Sequence, residues 1–226
     1  MSTDSGAGHR HDDDLPGVER LLALSDGVVA IALTLLVLQL AVPIAASATS
    51  ASDLAAALGN RGDRLTSYAI SFYVIAQFWL IHHKVYRRIS GQREGLAWLN
   101  FAFLFTISVM PFTSDLLGEY SENPLAVVIF AGNLLLATLA TQATVIYAKR
   151  AGLLAPAPAY GPQSERAGRL RSLGTIVVVL LSIGLAWVNT DLAKYSWLLM
   201  ALVPGIVARM VKPPPGSAEG GQAAPA

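Results

Sequence analysis

Apolar residues in this chain fall into long blocks parted by short polar runs, and the block length sets the first expectation. Six blocks approach the roughly 20 residues that a helix needs to cross a hydrocarbon core. They occupy 18–42, 66–86, 95–116, 125–147, 173–189 and 195–211. The last two are the shortest, and Pro204 with Gly205 predicts a kink in the sixth. The polar segments 1–14 and 213–226 (PPPGSAEGGQAAPA) read as disordered tails by composition. The run HRHDDD in the first could bind a metal, but a solvated tail is the plainer reading. The pattern thus predicts an all-α membrane protein, with one six-helix transmembrane domain over 15–212 and no internal repeat beyond the helical one.

Composition agrees with that expectation. Of the 226 residues, 54% are hydrophobic and 14% charged, where a soluble domain carries about 25% charged residues. The absence of cysteine excludes disulfides, thiol catalysis and thiolate metal sites. A net charge of +1 names no partner, and no nucleic-acid partner is expected beside the lipid bilayer. The N-terminus lacks the short apolar region of a cleavable signal, so the first block reads as a retained span.

Charge asymmetry orients the blocks. With the N-terminus inside, the inner segments hold thirteen basic residues, among them Arg10, Arg20, Lys84, Arg87, Arg88, Arg93, Lys149, Arg150 and Arg209. The outer loops hold Arg61, Arg64 and Lys194, and the outer turn SDLLGEYSENP has no Lys or Arg. That bias places both termini in the cytoplasm.

The first block, ERLLALSDGVVAIALTLLVLQLAV, carries residues that do not belong in lipid: Arg20, Ser25, Asp26, Thr34 and Gln39. A carboxylate inside a span costs on the order of 3 kcal/mol on insertion scales, and such a group normally faces the bundle and marks a functional site. At about 100° per residue, Ile31, Leu35 and Leu38 share a narrow stripe with Thr34 at its edge, and Asp26 points nearly opposite. Candidate anchors toward the same end are Arg20 on this helix, Trp79, His82 and His83 on the second, and Asn100 on the third. Asp26 reads as a structural charge satisfied by Arg20 or a histidine. Adjacent histidines diverge by about 100°, so His82 and His83 fit hydrogen bonding better than one shared metal. Asn100 reads as a bridge between helices. Periodicity alone leaves the stripe open between ordinary packing and a pore. No nucleophile–base set, phosphate loop or zinc-spaced cluster is present, so neither catalysis nor a cofactor is expected.

These residues resemble a known family. RLLALSDG at 20–27, followed by AIALTLLVLQL, is similar to the R-x-x-x-F-S-D signature of the transmembrane protein 175 family of potassium channels. FYVIAQFWLIHH on the second helix (family-like F-W-x-x-H), WLNFAFLFTISVMPF on the third and VVIFAGNLLL on the fourth follow in the family's order. The last two helices match in hydropathy alone, and Leu24 stands where the signature has phenylalanine.

The resemblance implies a passive channel selective for potassium, lying in the cytoplasmic membrane, with potassium as its permeant ligand. It implies that the first helix lines the pore, that Ile31, Leu35 and Leu38 form its apolar rings, and that Thr34 forms a threonine layer credited with selectivity. Family members with two repeats dimerise, so a chain with one repeat implies a homotetramer closed around an axis. The polar cluster of Arg20, Ser25, Asp26, Trp79, His82, His83 and Asn100 would then be the scaffold that sets the rotation of the pore helix. Two other readings compete: proton conduction through Asp26, His82 and His83, and a metal-dependent membrane hydrolase built on the same groups.

Overall fold

The structure is a computed structural model that describes residues 17–40, 50–59, 61–91, 93–154 and 162–210. The polar tails, HRHDDD and the far ends of the first and sixth blocks lie outside the described residues. Among the described residues every regular element is a helix, and an isolated antiparallel bridge joins Ile89 and Leu154. The helices are α1 (Val18–Leu35), extended by a 3₁₀ turn (Leu36–Leu40), then α2 (Ala51–Gly59), α3 (Gly62–Tyr86), α4 (Glu94–Glu119) and α5 (Pro124–Arg150). After them come α6 (Pro162–Ala186), α7 (Thr190–Ser196), a 3₁₀ stretch (Trp197–Ala201) and α8 (Leu202–Met210). Five of these are long and apolar enough to cross a membrane: Val18–Leu40, Gly62–Tyr86, Glu94–Glu119, Pro124–Arg150 and Arg166–Ala186.

Local chemistry explains the boundaries. Asn123 caps α5 by accepting from the Leu125 N–H at 2.9 Å, and Pro124 takes the first helical position, where its missing N–H costs nothing. At the other end Gly152, at φ +68°, terminates α5. Leu153 N–H bonds the Ala148 carbonyl at 2.9 Å and Gly152 N–H bonds that of Lys149 at 3.2 Å, the paired bonds of a Schellman motif.

The sixth block differs from its expectation. In place of one kinked helix over 195–211 there are α7, a 3₁₀ stretch and α8 in series. Asn189 does not end the fifth span; it caps α7 by accepting from Leu192 N–H at 2.9 Å, so α6 stops at Ala186. The break falls before Pro204, not at it. Proline cannot donate to the fourth residue back, so the α-helix restarts at Leu202 with Pro204 in its first turn, where proline is tolerated. Trp197 ties the 3₁₀ stretch down, its indole donating to Ser182 Oγ at 2.9 Å and its ring lying 4.7 Å from Phe130.

The core lies where α4 packs against α1, α3 and α5, and is filled by Val74, Ile75, Phe103, Ile107, Val127, Phe130 and Leu134. Threonines on α5 enter it because Thr138 and Thr141 hydroxyls donate to carbonyls one turn back, at 2.8 and 2.9 Å. A smaller apolar cluster of Leu21, Tyr86, Ile89, Leu96, Ala148 and Leu153 closes the end of the bundle where α1 begins.

Candidate functional site

Helix α1 is two-faced. Leu21, Ser25, Val29, Ala32 and Leu36 are buried against the bundle at helical spacing. On the other side Leu24, Ile31, Thr34, Leu35 and Leu38 are bare within the subunit, Ile31 at 59% and Leu38 at 70%. Thr34 spends its proton on the Ile31 carbonyl at 2.8 Å, so its oxygen presents only lone pairs outward.

Buried polar groups hold the inner face. Asn100, fully buried on α4, donates from Nδ2 to Ser25 Oγ at 3.1 Å, and its Oδ1 lies 2.8 Å from His82 Nε2 on α3. An amide oxygen only accepts, so His82 is the donor there. Ser25 gives its own proton to the Leu21 carbonyl at 2.7 Å. The His82 ring is stacked between Tyr86 and Phe103, with centroids at 4.3 and 4.6 Å. One asparagine thereby joins α1, α3 and α4.

Asp26 has a different partner from the expected one. Its Oδ1 accepts from Trp79 Nε1 at 2.8 Å. Arg20, six residues back and thus about 120° around the helix, is exposed, and its side chain makes no hydrogen bond or ion pair among the described residues. Arg20 therefore stands outside the cluster, and Trp79 replaces it as the partner of the carboxylate. His83 stands beside Trp79, ring centroids 5.6 Å apart, with Nδ1 buried and lacking a hydrogen-bond partner among the described residues. No group of three or more His, Asp or Glu that could hold a metal occurs among the described residues.

Asn100→Leu is expected to lower the thermal midpoint in detergent by the equivalent of about 1–3 kcal/mol, the cost of stranding a buried donor. It leaves His82 Nε2 without its acceptor and Ser25 without its donor. Trp98→Leu, at an exposed position on the same helix, is the control and should leave the midpoint in place.

A second polar set at the opposite end was not legible in the sequence. Gln39 Nε2 donates to the Pro111 carbonyl at 2.6 Å, Ser114 Oγ donates to Gln39 Oε1 at 2.9 Å, and Ser71 donates to Ser114 at 2.7 Å. Arg64 Nη1 donates to the Gln39 main-chain carbonyl at 3.2 Å and pairs with Asp115 at 3.4 Å and with Glu119. Gln39 stood out as a polar residue in an apolar run. The partners of its side chain lie more than 70 positions away, so nothing local pointed to them. At the same end a polar groove of about 350 Å³ runs between Arg61, Asp63, Arg64, Gly118, Glu119 and Ser121. Lys194, only 3% exposed, bonds Asp191 at 2.8 Å and the Ser121 carbonyl at 3.3 Å, so its charge is neutralised where it is buried.

A helical bundle with five membrane-length apolar helices, one of them polar-anchored on one side and bare on the other, defines a multi-pass membrane protein. Residues 20–111 match the family described as endosomal/lysosomal potassium channel TMEM175. A potassium channel of Streptomyces collinus is 32% identical over 191 residues, which cover 82% of this chain and 90% of that protein. The human endosomal/lysosomal proton channel TMEM175 is 25% identical over 132 residues, covering 56% of this chain and 25% of that protein. The crystal structure of a lysosomal potassium-selective channel TMEM175 homolog from Chamaesiphon minutus shares the fold. Its TM-score is 0.72 at 22% identity, with 84% of this chain and 96% of that one covered. The chain belongs to the TMEM175 family, whose members are ion channels.

Proposed function

We propose that four copies of this chain surround one axis in the cell membrane and conduct potassium passively, in preference to sodium, with both termini cytoplasmic. The observation that carries the reading is the bare face of α1. Ile31, Thr34, Leu35 and Leu38 sit opposite the face that Ser25, Asn100, His82, Trp79 and Asp26 hold. A helix pinned on one side presents a fixed row on the other. Four such rows would form a dry apolar constriction that gates by dewetting, with the threonine oxygens as its polar layer. The potassium-channel name of the Streptomyces relative supports the ion, and a single-repeat chain needs several copies to enclose an axis. In this reading the buried polar cluster is scaffold, the lipid bilayer is the solvent, and no cofactor takes part.

The test is flux from proteoliposomes under a potassium gradient, with sodium and proton controls, alongside native mass measurement in mild detergent. Potassium flux exceeding sodium flux, from a particle of four chains, is the expected result. A monomer, or a flux indifferent to the two ions, would sink the reading. A second reading, proton conduction, is favoured by the unpartnered Nδ1 of His83 next to the Trp79–Asp26 pair and by the name of the human relative. Proton flux with no potassium flux in the same vesicles would select it.

A further inference from the structure

The far end of α1 depends on residues that the anchors around Ser25 do not touch. Over Leu36–Leu40 the helix tightens to 3₁₀, a winding that advances side chains by about 120° per residue and eclipses positions three apart. That tighter winding turns Leu38, the most exposed member of the stripe, toward the line of Leu35. With α winding it would sit about 60° away, from three steps of about 20° each. The aim of Leu38 thus rests on whatever holds this one turn.

Gln39, the next residue, is held at both of its ends. Its side-chain amide donates to the Pro111 carbonyl and accepts from Ser114 at once, which fixes the rotation of the amide as well as its place. Its main-chain carbonyl, one of those a helix end leaves open, accepts from Arg64, and the guanidinium is held in turn by Asp115 and Glu119. An interhelical anchor in a membrane is commonly a single hydrogen bond; here α3 and α4 grip one residue of α1 through three.

We propose that Gln39 is a positioning residue of the conduction path: with Ser114 and Arg64 it sets the winding of the last turn of α1 and so aims Leu38. The inference rests on α1 lining the pore. It assigns to the outer polar set a role that the anchors around Ser25 cannot fill, because they lie more than two turns away along the helix.

The test uses the absence of native cysteine. Leu38→Cys and Leu35→Cys are made singly in the full chain, and the reaction of each thiol with a charged, membrane-impermeant thiol reagent is timed in proteoliposomes. Each is then combined with Gln39→Leu, which keeps bulk and removes every side-chain bond, and separately with Ser114→Ala, which removes one donor at almost no cost in volume. In both combinations the rate at Leu38→Cys should fall by about fivefold, the scale of losing one intramembrane hydrogen bond, while the rate at Leu35→Cys holds. The potassium preference read from reversal potentials should fall with it. Should Leu38→Cys be unreactive in the otherwise native chain, the pore-lining reading of α1 fails. Should it react and keep its rate in both combinations, with the oligomer intact, the pore reading stands and the positioning role of Gln39 is overturned.

Discussion

Ile31→Asn is expected to give larger currents than the native chain and a potassium preference lower by about tenfold, or ~1.4 kcal/mol of discrimination. The side chain of Ile31 is largely bare in the subunit, so the substitution disturbs little packing within the chain. In the proposed pore four isoleucines form a ring with no group to replace water, and a cation crosses it with much of its hydration or waits for the ring to wet. Asparagine has about the same size but brings a donor and an acceptor, so the ring wets and partial dehydration becomes easier for sodium as well. Thr34→Ala should erode the preference from the other side. The Thr34 hydroxyl proton is committed to the Ile31 carbonyl, so what alanine removes is an outward oxygen that an ion could use. The measurement is the reversal potential with potassium on one side and sodium on the other. A position facing lipid would respond to asparagine with poor folding and unchanged conduction. An unchanged reversal potential in both variants, with the assembly intact, removes Ile31 and Thr34 from the filter.

The parts of the fold that hydropathy could read are those in which one block makes one helix. α4 and α5 begin within a residue of their blocks and overrun them by three at the far end. α3 and α6 start earlier than expected, because helical winding continues past the hydrocarbon through polar residues such as Asp63, Arg64, Arg166 and Arg169. The sixth block went wrong because a cap and a proline act on the backbone irrespective of how apolar the side chains are. Asn189 opened a new helix, and Pro204 fixed where the last one could start.

The two faces of α1 were legible because periodicity is a property of a single helix. The choice of partner was not, since it depends on which neighbour a side chain meets. Ser25, His82 and Asn100 lie on three helices whose relative depths follow from counting residues along antiparallel spans, and the structure brings them together. Asp26 paired with Trp79 instead of the nearer Arg20 because six residues turn Arg20 away from α3. Gln39, Pro111 and Ser114 needed the full packing of α1 on α4 to be seen as one group.

That change of partner alters what mutation of the inner anchor should do. Trp79→Phe is expected to reduce the yield of assembled protein, while Arg20→Ala and Asp26→Asn leave it near the native level. A charged Asp26 costs on the order of 3 kcal/mol to place in a span. The bond from Trp79 Nε1 at 2.8 Å returns about 1.5–3 kcal/mol, the range for a hydrogen bond to an ionised group. Phenylalanine keeps most of the ring and deletes only the N–H, so the carboxylate stays in place with its compensation gone. Asparagine keeps the Oδ1 acceptor for Trp79 and sheds the charge, so the cost and its compensation fall together. The Arg20 side chain makes no hydrogen bond or ion pair among the described residues, and exposed substitutions of that kind stay within about 0.5 kcal/mol. The readouts are the oligomer fraction on size exclusion in mild detergent and the thermal midpoint. If Arg20→Ala proved as damaging as Trp79→Phe, then Arg20 would pair with a carboxylate of a neighbouring copy, and the anchor would belong to the assembly instead of the subunit.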